Sequence, residues 1–140
     1  THTGSLPRPD DLIRTMYAKE EGVPVDPVAL AERVRTAVAE GVRLVNGTDI
    51  PPGDTDDGAS IVVREMEHMV AAGLSPLASI QATTLRPAEL LGLAGVIGAV
   101  ETGDQADLVV VRENPLEDIR AMRGIFLVMQ AGRIVRQECT

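Results

Sequence analysis

Tryptophan is absent from this chain, and tyrosine and phenylalanine occur once each. Any core must therefore be aliphatic, built from Val, Leu, Ile, Ala and Met. No aromatic surface is available to stack nucleic-acid bases. Cysteine is nearly absent as well. Cys139 stands alone, so no internal disulfide can form, and a reducing cytoplasm is the expected compartment. Lys19 is the only lysine, and His2 and His68 are the only histidines. No apolar run approaches the roughly 20 residues of a membrane span. The start, Thr1 to Pro9, lacks the basic-then-apolar plan of a signal peptide.

What is present is a chain of 140 residues, 44% of them hydrophobic. That suffices for one modest domain with a real core. It falls short of a complete (β/α)8 barrel, which takes about 250 residues. The net charge is −8. An acidic chain is repelled by phosphate backbones and anionic lipid, so nucleic acid and membranes are poor partners and a small-molecule substrate is expected. Asp49, Asp54, Asp56 and Asp57 crowd one short stretch.

Local chemistry divides the chain into elements. Pro7 and Pro9 make residues 1–11 loop-like, and Asp10 or Asp11 can cap a helix running to about Lys19. Asp26-Pro27 reads as an N-cap and first helical residue, with Leu30, Val34, Ala37 and Val38 at helical spacing until Gly41. Val42 to Val45 reads as a short buried strand running into Asn46-Gly47-Thr48-Asp49. Residues 50–58 are a loop. A helix over 59–72 places Val62, Met66, Met69 and Val70 on one face and ends at Gly73. Ser75-Pro76 starts another helix, and Arg86-Pro87 a shorter one ending at Gly92.

Beyond residue 93 the period changes. Val96 to Val100 is a strand candidate, followed by a turn at Thr102-Gly103-Asp104. Ala106 to Val111 and Ile125 to Met129 read as core strands. Leu116 to Met122 is a short helical segment, and Arg133 to Arg136 closes a hairpin across Ala131-Gly132.

Several of these pieces, in order, resemble the end of an amidohydrolase-superfamily enzyme of the imidazolonepropionase and prolidase-like type. They are Gly41 to Asp49, Glu67 to Pro76, Ala82 to Leu93 (the "ATxxxAxxLGL" pattern), Ile97 to Val111 ("GxIxxGxxADLVV"), Asn114 to Ile119, and Val128 to Val135. Residues 1–40 resemble something else. His2 to Pro9 ("HxGSxPRP") and Tyr17 to Pro27 look like the start of cobalamin-independent methionine synthase-like proteins. The chain then reads as a join near Glu40 of two barrel fragments.

The resemblance implies an α/β fold in three parts. Residues 1–40 would be a helical segment, and 41–92 the last strand and following helices of a partial TIM barrel. Residues 93–140 would supply strands of a small β-sandwich. That sandwich also draws on N-terminal strands in the family, so open edges, and with them a homo-oligomer, are expected.

The resemblance also assigns Asp49 to the metal site as ligand and proton acceptor, with a divalent metal, zinc in the first instance. Such a metal lowers the pKa of its bound water, and a nearby carboxylate can pass the proton to a leaving amine. His2 is the second candidate ligand, although Gly4 stands where the family's second histidine would be. Arg8 and Asn46 are the candidate substrate-binding residues. His68 falls inside a helix and off the family pattern. The acidic stretch Asp54 to Gly58 lacks the spacing and terminal Glu of an EF-hand, and reads as a solvated loop with Asp57 as a cap.

The expected function is hydrolysis of an amide or cyclic C–N bond. A non-catalytic assembly module and a methionine synthase-like substrate-binding fragment working through His2 and Arg8 are the alternatives.

Overall fold

A computed structural model describes residues 27–48 and 58–138 of the chain. Helix α1 spans Pro27–Ala39. It ends because Gly41 takes a left-handed backbone (φ +77°), which lets the Gly41 and Val42 amides donate back to the carbonyls of Val38 and Ala37. The same closure ends α2, Gly58–Ala71, at Gly73, and ends α4, Leu85–Leu90, at Gly92. Between them, α3 covers Pro76–Thr83. Its N-cap is Ser75, whose hydroxyl accepts from the Ala78 amide at 3.1 Å, with Pro76 in the first turn. These boundaries match the sequence-based expectation closely.

The buried stripe of α2 is Val63, Met66, Met69 and Ala72, three residues apart, flanked by Ile61. The expected face included Val62, which is instead partly exposed. Val34 of α1 and Leu74 and Ala82 of the later segments complete this core with Met69 and Ala72, and Ala31, Leu44 and Ala78 pack against it. Helix α1 therefore shares one apolar core with the chain beyond Glu40.

The last third forms a three-stranded antiparallel sheet in the order β1 (Leu108–Val111), β2 (Ile125–Gln130), β3 (Arg133–Gln137). The β2–β3 hairpin turns on Ala131 (φ 48°) and Gly132 (φ 76°), both left-handed, as a type I′ turn requires. Asp107 pins that turn, its Oδ1 accepting from the Ala131 amide at 2.7 Å. The sheet is tethered to the helices by a 3-10 helix over Ile119–Arg123. Ile119 and Ala121 are buried in it, and it packs on α2.

Three expectations are corrected. Val42 to Val45 is part of an irregular stretch, 42–48, rather than a strand. Among the described residues no other strand lies beside it, and a strand without a neighbour has no ladder. Val96 to Val100 is a series of turns and bends. Gly95 (φ 78°) and Gly98 (φ 92°) take left-handed angles that break an extended run. Third, β1 is not a core strand: Val109 and Val110 are 52% and 43% exposed, and every residue of β3 is exposed. The described residues supply one sheet layer, and a sheet buries a face only against a second layer.

Candidate functional site

Residues 42–48 run between the helices toward Asp49. Leu44 packs onto the core, and Arg43 donates to Glu89 Oε2 at 2.9 Å, an oxygen that Arg86 also reaches at 3.2 Å. The polar anchor of the stretch is Asn46. Its backbone amide donates to the Ala82 carbonyl at 2.8 Å. Its side-chain Nδ2 donates to Thr83 Oγ1 at 3.1 Å and, more weakly, to the Val62 carbonyl at 3.4 Å.

Behind Asn46 the network continues inward. Thr83 donates its hydroxyl to the Ser79 carbonyl at 3.0 Å. Ser79 is fully buried and donates to the Met66 carbonyl at 3.0 Å, so its polar group is satisfied. Ser79 and Thr83 are four apart and lie on one face of α3, opposite the Met66 side of α2. Sequence reasoning missed both. A pair of hydroxyls at helical spacing amid apolar residues was the available signal.

Asp49, His2, Arg8 and Lys19 lie outside the described residues, as does the acidic stretch from Asp54 to Asp57. Asn46 is described, and all its hydrogen bonds named above run to α2 and α3. His68 sits in the last turn of α2, largely exposed, with Nδ1 3.7 Å from Glu65 Oε1. Among the described residues no group of three or more His, Cys, Asp or Glu could hold a metal ion. These residues do not fit the metal centre that the resemblance implies.

A groove of about 140 Å³ opens between α1, the start of the 42–48 stretch and α3. Its walls are Val38, Val42, Leu44, Leu74 and Ala78, with Arg43 and Arg86 at the mouth. It is apolar and carries no nucleophile. The clearest electrostatic feature lies elsewhere, where two hydrogen bonds from Arg123 hold the Glu67 carboxyl below its ordinary pKa of 4.5.

The model of the amidohydrolase family matches residues 17–135. This chain belongs to the amidohydrolase family. It is 33% identical over 105 residues to ochratoxinase of Aspergillus niger, covering 71% of this chain and 21% of that protein. Against imidazolonepropionase of Thermoplasma acidophilum it is 29% identical over 125 residues, 84% of this chain and 29% of the relative. The crystal structure of a Xaa-Pro dipeptidase with bound methionine in the active site superposes with a TM-score of 0.68 at 30% identity, over 78% of this chain and 26% of that one. The chain thus spans between a fifth and a third of the length of these relatives.

The family match begins at residue 17 and takes in Tyr17 to Glu40. Nothing in it supports the methionine synthase-like reading of residues 1–40. The packing agrees, since Val34 and Ala31 of α1 share the core with Met69, Ala72, Leu74 and Ala82. No described helix is long and apolar enough to cross a membrane.

Proposed function

We propose that the chain is the C-terminal part of a cytoplasmic amidohydrolase-type enzyme that cleaves a carbon–nitrogen bond in a small molecule, with Asp49 as its working carboxylate. The supporting observation is the family match across residues 17–135, which takes in the Asn46-Gly47-Thr48-Asp49 run. The relatives' names, among them an imidazolonepropionase and a Xaa-Pro dipeptidase, fit that bond class. A carboxylate at such a position can accept a proton from the attacking water and return it to the departing nitrogen. A divalent ion, zinc in this reading, would need ligands beyond the described residues. His2 is the nearest candidate in the chain, and Arg8 stays a candidate for substrate. Homo-oligomerisation belongs to the same reading, supported by the exposed valines of β1.

The test is amine release from a panel of dipeptides and N-acyl amino acids by the full chain and by Asp49→Asn. Loss of a proton-transferring group should lower turnover by about 10²–10⁴-fold. Full turnover in Asp49→Asn would remove Asp49 from the mechanism. A second reading, a non-catalytic assembly module, is favoured by the lack of a three-ligand cluster among the described residues. Wild-type protein that releases no amine and binds no metal would select it.

A further inference from the structure

The polar chain Asn46–Thr83–Ser79–Met66 takes no part in the chemistry proposed above. It is nevertheless what holds the segment that enters Asp49. Thr83 sets its direction. The hydroxyl hydrogen of Thr83 is spent on the Ser79 carbonyl at 3.0 Å, so toward Asn46 it offers only lone pairs. The Val62 carbonyl, 3.4 Å away, is likewise an acceptor only. The Asn46 amide must therefore face both with its nitrogen, and only one of its two flipped orientations satisfies them. The backbone bond from Asn46 to the Ala82 carbonyl at 2.8 Å fixes the main chain at the same residue. One side chain and its own amide thus tie the stretch to α2 and α3, and Asp49 comes three residues later. The far end of the network is firm, because Ser79 is fully buried and bonded to the Met66 carbonyl at 3.0 Å.

We infer that Asn46 is the positioning residue for Asp49: it fixes where the chain leaves the helices, and Thr83 fixes Asn46. The inference rests on the proposed reading of Asp49 as the working carboxylate. Placing a reacting group to within about half an ångström requires such supporting hydrogen bonds. An aspartate at position 46 would set a carboxylate against two acceptors, and a leucine would fill the space without donating.

The test is a double-mutant cycle read by NMR on the full chain, using Thr83→Val, Thr83→Ser, Asn46→Leu and the Asn46→Leu/Thr83→Val pair. Thr83 is remote from Asp49 in sequence, so Thr83→Val reaches it only through the fold. Thr83→Val should shift the amide signals of Gly47, Thr48 and Asp49. It should also speed exchange of the Asn46 amide about five- to tenfold, the net worth of one hydrogen bond. Thr83→Ser, which keeps the hydroxyl, should restore both. In the Asn46→Leu background Thr83→Val should add nothing at residues 47–49. The inference is overturned if Thr83→Val leaves those signals in place, or moves them equally without Asn46. It is also overturned if exchange rises uniformly across α2 and β2. Retained hydrolysis in Asp49→Asn would instead sink the functional reading and leave the cycle's result standing.

Discussion

Arg123 meets Glu67 through two hydrogen bonds, Nε to Oε1 at 2.7 Å and the second guanidinium nitrogen to Oε2 at 2.9 Å. The pair joins α2 to the 3-10 helix that leads into β2, and so couples the helical layer to the sheet. A bidentate fork of this kind is stronger than a single-point pair, yet Arg123 remains 45% exposed and the gain is screened. Its net worth is about 1 kcal/mol or less.

The direction of the Glu67 shift sets a pH dependence. The hydrogen bond from Arg123 lowers the folded pKa of Glu67 below 4.5. The stabilisation is therefore complete above 4.5 and is lost as pH falls through the lower, folded value. Glu67→Gln should lose stability at pH 7 but show a shallower decline below pH 4.5 than the wild type. Urea melts at several pH values check this, and parallel declines for the two proteins would count against it.

Gly98 lies against the junction of α3 and α4. A Cβ there would stand 2.8 Å from Ala88 Cβ and 2.9 Å from the Thr84 carbonyl, on a backbone with φ +92°. Crowding and an unfavourable angle act together, so Gly98→Ala should cost about 2 kcal/mol or more. At Gly92 (φ +71°) a Cβ meets nothing within 4 Å, and Gly92→Ala should cost only about 1 kcal/mol from the angle. Equal costs in denaturant melts would refute the distinction.

Asp107 pins the hairpin turn through its 2.7 Å bond from the Ala131 amide, and Gln105 Nε2 holds its other oxygen at 3.0 Å. Asp107→Ala should destabilise the sheet by about 1 kcal/mol. Asp107→Asn keeps an acceptor and should cost less. Calorimetry of the two variants checks the order, and an alanine variant as stable as the wild type would argue that the turn holds itself.

The exposed valines of β1 bear on association. Val109 is 52% exposed on a strand that, among the described residues, pairs on one side only. Open apolar edges template pairing between chains, and a lysine on such an edge opposes it. The wild type should associate with rising concentration and Val109→Lys should do so less. Sedimentation velocity that finds the wild type monomeric throughout would sink the expectation.

What the sequence made legible was set by local backbone chemistry. Gly41, Gly73 and Gly92 close their helices, Ser75-Pro76 opens one, and Ala131-Gly132 turns the hairpin, because each acts on bonds within a few residues. What it hid depended on distant partners. Val42 to Val45 has the composition of a strand, but a ladder needs a neighbour. Leu108 to Val111 has the composition of a core, but burial needs a second layer. Val96 to Val100 has the composition of an extended run, but Gly98 packs under the α3–α4 junction with a left-handed backbone. The family of Asp49 could be read from ordered motifs. The support given to Asn46 could not, since Thr83 lies 37 residues away.

That separation bears on the order of folding. The β2–β3 hairpin closes across two residues and should form within microseconds, as should the first turns of α2. The bond from Asn46 to Thr83 has a 37-residue loop to close, and α2 and α3 must already be docked before Thr83 is in place to accept it. In a refolding chain the stretch that carries Asp49 should thus be among the last to settle.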